Sequence, residues 1–125
     1  MVAELTRNNI YELFKDTFGD YPSEVRRLPI SGSSRLYFRL VDAHRSVIAA
    51  YNEDLRENQA FIYFSEHFKK YDLPVPQIFA ERLDQHIYLQ EDLGDQMLFD
   101  FIKLNSWEII ETIEKLKNKF IKLKK

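Results

Sequence analysis

The sequence has 125 residues, enough for one domain that buries its own core, and its 45% hydrophobic and 30% charged residues are typical of a globular protein in water. Cysteine is absent, which excludes disulfides and thiolate metal sites, and a net charge of -2 gives no overall attraction to nucleic acid. No apolar run is long enough to span a membrane and the first residues lack the pattern of a signal peptide, so we expect a cytoplasmic protein.

The first half of the chain predicts one helix followed by three strands. Thr6 is the expected N-cap of the helix, and Gly19 is expected to end it. The strands are expected at residues 24–28, 36–41 and 46–51, and the third, nearly continuous in apolar residues, is expected at the centre of the sheet. Because the connections between them are short, the three strands must run antiparallel.

The second half predicts a long helix, two more strands and further helices. The long helix follows residues 52–54, and two prolines at positions 74 and 76 prevent it from continuing. Its buried stripe is expected to comprise Leu55, Ala60, Phe61, Phe64 and Phe68, with Ile62 and Tyr63 beside it. Strands are expected at residues 78–82 and 86–90, and helices at 96–103 and from 106 onward. This order predicts an α+β fold: a five-stranded antiparallel sheet, a long helix between strands 3 and 4, and extra helices at both ends.

Positive charge is concentrated at the C-terminal end, where six of the last eleven residues are lysines and no acidic residue follows Glu114. The segment is either the end of a solvated helix, where lysines suit the negative pole of the helix dipole, or an arm that binds nucleic acid or membrane. Phe120 is the one aromatic residue there, which is too few for the stacking that nucleic-acid arms use. We therefore expect neither a nucleic-acid nor a membrane partner.

A small polar turn, Ser31-Gly-Ser-Ser34, joins the first two strands and is followed at once by Arg35. Small side chains let backbone N–H groups approach an anion, and an arginine can clamp a phosphate with two parallel hydrogen bonds. The turn is therefore a candidate phosphate loop. A plain connection between two strands is the alternative.

Four motifs stand in a fixed order along the chain: Ser31-Gly-Ser-Ser-Arg-Leu-Tyr-Phe-Arg39, Arg56-Glu57-Asn58, Leu73-Pro-Val-Pro-Gln-Ile78 and Tyr88-Leu-Gln-Glu-Asp-Leu-Gly-Asp95. In this order they resemble the small N-terminal lobe of the aminoglycoside phosphotransferase and choline-kinase-like family, whose fold is protein-kinase-like. The resemblance covers roughly residues 5–104. It divides the chain into a kinase-like lobe at residues 1–104 and an amphipathic helix with a basic end at residues 105–125.

The resemblance implies an ATP-binding lobe, accompanied by Mg²⁺ in a complete enzyme that transfers the γ-phosphoryl group to a hydroxyl of a sugar, aminoglycoside or choline-like compound. For this chain by itself, we expect weak ATP binding or none. The base is expected against the backbone that follows the fifth strand, and the phosphates beside the small polar turn. The positions implied in nucleotide binding are Gly32, Ser33, Ser34, Arg35, Arg39, Ala49, Glu57, Gln90, Glu91, Asp92 and Leu93. The alternatives are a solvated acidic turn at residues 91–95 and, for Glu57, a glutamate that the helix dipole favours without any ligand.

The third strand departs from the family pattern. Kinase-like lobes carry a lysine near its end, whereas this chain has Ile48-Ala-Ala-Tyr-Asn52. Glu57 therefore lacks the partner that the resemblance implies. We hypothesise that Arg35 or Arg39, on the neighbouring strand, takes the place of that lysine.

The sequence also lacks the residues that the catalytic half of this family contributes. After residue 104 the acidic residues are Glu108, Glu111 and Glu114 on a lysine-rich helix, and nothing matches the catalytic and metal-binding aspartates of a phosphotransferase. We therefore expect the chain to be inactive alone. The alternative function is a non-catalytic interaction domain that self-associates, either through the face that a second lobe would cover, near Leu98–Ile102, or through its final helix.

Overall fold

The computed structural model describes residues 2–29, 35–71 and 75–95. Its elements are α1 (Val2–Phe18), β1 (Glu24–Arg27), β2 (Arg35–Val41), β3 (Ser46–Asn52), α2 (Leu55–Lys69), β4 (Ile78–Arg82) and β5 (Ile87–Glu91), with a short 3₁₀ turn at Leu83–Gln85. The predicted α+β class is confirmed, and α2 follows β3 and precedes β4 along the chain. The small polar turn and the helices predicted after residue 95 lie outside the described residues.

The five strands form one antiparallel sheet in the order β1-β2-β3-β5-β4. The predicted central position of the third strand is confirmed, and its burial on both faces explains the nearly continuous apolar run. In the register of the sheet, Arg35 of β2 lies opposite Asn52, and Ile48 of β3 lies opposite both Arg39 and Gln90. These pairings decide which side chains share a face.

α1 covers one face of the sheet. Its side chains Ile10, Leu13 and Phe14 join a buried cluster with alternate residues of β2, β3 and β5. The helix begins at Val2, so the prediction of Thr6 as its N-cap is wrong; Thr6 lies inside the helix and is buried. Gly19 ends the helix as predicted, with a φ of 95° and its N–H bonded to the carbonyl oxygen of Lys15 at 2.8 Å.

α2 covers the opposite face. Its start is fixed by Asp54, whose carboxylate accepts a hydrogen bond from the N–H of Glu57 at 3.1 Å. One turn later, Asn58 donates from its amide to the carbonyl oxygen of Asn52 at 2.8 Å, which ties the helix to the end of β3.

The buried stripe of α2 differs from the prediction. Phe61, Ile62, Phe64 and Phe68 are buried as expected, but Leu55 is 42% exposed and Tyr63 is 49% exposed. Polar Asn58 and Ser65 take buried positions instead. The buried side therefore runs through positions 58, 61, 62, 65 and 68. Leu55 has the helical spacing of Asn58 and Ile62, but it is the first residue of the helix and stays exposed. No helix in the described ranges is long and apolar enough to cross a bilayer.

Candidate functional site

Arg35 and Glu57 form an ion pair where β2 begins and α2 starts. Arg35 is the first residue of β2, and Glu57 lies in the first turn of α2, which packs on the same face of the sheet. Their side chains are only 14% and 13% exposed, respectively. The pair is therefore largely withdrawn from water, where attraction between charges is much stronger than at an open surface.

Tyr37 lies two residues further along β2 on the same face and contacts the same arginine. Burial raises the pKa of the Tyr37 hydroxyl, while the charge of Arg35 and a hydrogen bond with it act in the opposite direction, and the net shift is upward. Tyr88 of β5 is buried in the same apolar cluster between α2 and the sheet as Tyr37. Burial raises the pKa of the Tyr88 hydroxyl well above the ordinary value. Both tyrosines are therefore neutral neighbours of the ion pair.

A second ionic cluster lies at the other end of β2. Arg39 donates two hydrogen bonds to the carboxylate of Asp92, which lies just after β5: Nε to Oδ2 at 2.8 Å and Nη2 to Oδ1 at 3.2 Å. Ser46 donates to the same carboxylate at 2.7 Å, and so does the N–H of Gly94 at 3.0 Å. Arg39 also reaches Asp95 at 2.6 Å. Asp92, whose side chain is 11% exposed, thus accepts hydrogen bonds from three residues.

These contacts set the ionisation of the cluster. Burial by itself raises the pKa of Asp92, but hydrogen bonds from Arg39, Ser46 and Gly94 and the charge of Arg39 outweigh it, so the pKa lies below its usual 3.8. The hydrogen bond with Asp92 likewise raises the pKa of Arg39. Both side chains are charged over the whole ordinary pH range.

The lowered pKa of Asp92 predicts a specific loss of stability in acid. A carboxyl group whose folded pKa is depressed contributes stability above its unfolded value near 3.8, and that stability is lost as the pH falls through the lower folded pKa. We expect the difference in unfolding free energy between the wild type and Asp92→Asn to be constant from pH 7 to about pH 5 and to shrink below about pH 4. Urea unfolding at a series of pH values measures it, and a difference that does not change with pH would contradict the lowered pKa.

Glu91 anchors the same segment from the other side. Its carboxylate accepts hydrogen bonds from the N–H of Gln77 at 3.0 Å and from Nζ of Lys69 at 3.5 Å, while its own N–H donates to the carbonyl oxygen of Gln77 at 2.8 Å. The carboxylates of Glu91 and Asp92 therefore hold the chain after β5 in place. Sequence reasoning missed Ser46, Lys69 and Gln77 as partners; the one available signal was a hydroxyl residue, Ser46, opening an otherwise apolar strand.

The structure brings some of the predicted positions together and separates one of them. Arg35 and Arg39 point to the face covered by α2, since residues four apart on a strand share a side. Gln90 lies in the same cross-strand row as Arg39. Ala49 is fully buried on the opposite face, in the cluster that α1 covers, and does not join them. The turn residues Gly32, Ser33 and Ser34 lie outside the described residues.

Two cationic side chains share the face of the sheet that α2 covers. Arg35 and Arg39 supply two guanidinium groups on one face, and guanidinium matches phosphate geometry. Within residues 2–29, 35–71 and 75–95, no group of three or more histidine, aspartate or glutamate side chains is placed to hold a metal.

Neither a scan against protein-family models nor a search of curated proteins finds a match to this chain. The function is therefore inferred from the contacts above together with the resemblance of the four motifs.

Proposed function

We propose that the chain is the nucleotide-binding lobe of a small-molecule phosphotransferase similar to the aminoglycoside and choline kinases, with ATP as its ligand. The observation that carries this proposal is the placement of two ionic clusters on one sheet face. Arg35–Glu57 lies at the first residue of β2, which the small polar turn precedes in the sequence, and Arg39–Asp92 lies toward the other end of β2, beside the end of β5. A ligand with a polar base at one end and phosphates at the other suits such a face.

In this proposal, the adenine base of ATP lies against the backbone from Gln90 to Leu93. Adenine presents donor and acceptor edges in one plane, and a fixed backbone segment offers complementary groups at defined spacing. The anchoring of Glu91 by Gln77 and Lys69, and of Asp92 by Arg39 and Ser46, supports this role. Both carboxylates and the N–H of Glu91 are engaged within the protein, so the recognition of the base falls to the backbone that follows, at Asp92 and Leu93.

In the same proposal, the phosphate groups of ATP lie in the region around Arg35. Arg35 directly follows the Ser-Gly-Ser-Ser segment in sequence, and the N–H of Leu28 bonds to the carbonyl oxygen of Tyr37 at 2.8 Å, so the pairing of β1 with β2 continues one residue beyond Arg27. Arg35 and Arg39 are four residues apart on β2, about 13 Å at the rise of an extended strand. That separation is comparable with the length of an extended nucleoside triphosphate.

The proposed lobe binds the nucleotide without catalysing transfer of its phosphoryl group. Phosphoryl transfer requires placed metal ions and an oriented acceptor hydroxyl, which the four motifs do not supply. The acceptor in a complete relative would be a hydroxyl of a sugar, aminoglycoside or choline-like compound. This chain alone is expected to bind ATP weakly, because the second lobe of such a fold contributes part of the contact surface.

Titration of ¹⁵N-labelled protein with ATP and Mg²⁺, followed by NMR, tests the proposal. We expect saturable shifts of the backbone amides of Glu91, Asp92 and Leu93, together with amides near Arg35. Inorganic phosphate at matched ionic strength is the control ligand and should leave the amides of residues 91–93 in place. Absence of saturable shifts at millimolar ATP, or shifts confined to the lysine-rich end of the chain, would contradict a nucleotide site on this face.

A further inference from the structure

The strand β1 lies at one end of the sheet, so only one of its two edges pairs with a neighbour, β2. Just after β1, the N–H of Leu28 bonds toward β2, to the carbonyl oxygen of Tyr37 at 2.8 Å. Because inward and outward backbone groups alternate along an antiparallel strand, those of Val25 and Arg27 point away from β2. An edge with such outward groups is a template for pairing with a strand of another chain.

A side chain from α1 covers one of these outward groups. Arg7 donates a hydrogen bond from Nη2 to the carbonyl oxygen of Val25 at 3.1 Å, in an exposed contact between residues 18 positions apart. The guanidinium of Arg7 therefore lies at the outer edge of β1, in the direction in which a neighbouring strand would lie. A strand that pairs through Val25 must displace it.

We propose that the outer edge of β1 is a surface for self-association, at which a second copy of this chain pairs antiparallel around Val25, and that Arg7 opposes the pairing. In this arrangement Val25 faces Val25 of the second copy, and the two residues exchange both of their backbone hydrogen bonds. A two-fold axis relates the copies, so each contributes the same residues to the contact. The inference is independent of nucleotide binding.

The charges of β1 select this register. Glu24 and Arg26 lie on the opposite face of the strand from Val25, contact each other at 2.9 Å, and are 51% and 58% exposed. When two copies pair around Val25, Glu24 of each copy lies directly opposite Arg26 of the other, once on each side of the axis. Opposite charges in such cross-strand positions are stabilising.

Other symmetric registers through the outward groups of β1 place like charges together. Pairing centred on Arg26 puts two copies of that arginine opposite each other, and pairing centred on Arg27 does the same at position 27. Like charges directly opposite are destabilising. The match around Val25 is thus to the sequence of the chain itself, which makes a second copy the occupant of this edge. Because β1 has only four residues, the contact is short and the association weak.

Sedimentation equilibrium of the full chain, without nucleotide, measures the dissociation constant of the dimer. We expect Arg7→Met to dimerise about tenfold more tightly than the wild type, because each wild-type dimer gives up two hydrogen bonds of Arg7, which together correspond to about that factor. Arg56→Met is the matched control. It removes the same charge from an exposed residue of α2, so the dissociation constant should stay within about twofold of the wild type.

Two further changes, made in Arg7→Met, locate the contact. Adding Arg26→Glu places Glu24 opposite a second glutamate and should weaken the dimer about fivefold or more, and adding Glu24→Arg as well should restore it, because opposite charges then face each other again. Val25→Pro removes an outward N–H and leaves the hydrogen bonds toward β2 in place, so it should abolish dimerisation.

Equal dissociation constants for Arg7→Met and the wild type, or no dimer in either at millimolar concentration, would overturn the inference. Association that Val25→Pro leaves unchanged, or that the exchange of charges between positions 24 and 26 does not restore, would place the contact on another surface and overturn it as well. If Val25→Pro fails to fold in a thermal melt, the exchange of charges decides. Since ATP is absent throughout, these results and the titration with ATP can fail independently.

Discussion

Replacement of Asp92 by alanine is expected to lower the free energy of unfolding by about 3 kcal/mol. The carboxylate accepts hydrogen bonds from Arg39, Ser46 and the N–H of Gly94, and its side chain is only 11% exposed. Its removal leaves the guanidinium of Arg39, 15% exposed, with Asp95 as its acidic partner among the described residues. A largely buried charge that loses its main partner carries a desolvation cost that the remaining contact does not offset.

Urea unfolding at pH 7 measures this loss, and Asp95→Ala is the matched control. Asp95 contacts the same arginine but is 74% exposed, so its removal should cost no more than about 0.5 kcal/mol. The contacts of Asp92 give a second expectation for Asp92→Ala: because the segment after β5 loses its anchor, the backbone amide resonances of Glu91 and Leu93 should shift. Equal losses of stability in the two variants would show that the burial of these two carboxylates does not determine how much each contributes to the free energy of unfolding.

Much of the fold follows from periodicity in the sequence. The alternation in residues 36–41 and the apolar run in 46–51 predict β2 and β3 within one residue at each end. β4 occupies the predicted residues 78–82, since the prolines before it and the turn after it leave little choice. Strand signals of this kind are local, so the sequence alone carries them.

Helix boundaries and the choice of buried face were harder to predict, because tertiary contacts decide them. Thr6 has the side chain of an N-cap, yet α1 extends to Val2, and Thr6 is a buried residue inside the helix. Leu55 fits the apolar spacing of α2, but as the first residue of the helix it is 42% exposed, whereas polar Asn58 and Ser65 are buried. Asn58 reaches the carbonyl oxygen of Asn52, a contact that hydrophobic periodicity does not reveal.

The candidate site shows the same division between local and long-range information. The sequence identified Arg35, Arg39 and Glu57 by type and order, and it left open which arginine pairs with the glutamate. Both arginines share one face of β2, so alternation alone does not separate them. The choice depends on where α2 crosses the sheet and where the chain leaves β5, which together place Glu57 at one end of β2 and Asp92 at the other.

Phe68→Ala is expected to have the largest effect on stability, a loss of about 3 to 5 kcal/mol. The ring is fully buried in the cluster between α2 and the sheet, and it lies edge-on to Phe64 with ring centroids 5.2 Å apart. Alanine leaves a cavity at the C-terminal end of α2, where the helix packs against the sheet. Because the first turn of the same helix holds Glu57, weaker packing of α2 should also reduce the affinity for ATP if the proposed function is correct.

Leu55→Ala is the control that makes this prediction specific. The apolar spacing of the sequence places Leu55 and Phe68 in the same buried stripe, whereas the structure leaves Leu55 42% exposed at the start of α2. Alanine is also the strongest helix former, so the free energy of unfolding should change by less than about 0.5 kcal/mol. Thermal and urea unfolding of the two variants side by side distinguish the alternatives. Similar losses of stability would favour the stripe predicted from periodicity, and a large loss in Phe68→Ala alone would favour the burial that the structure shows.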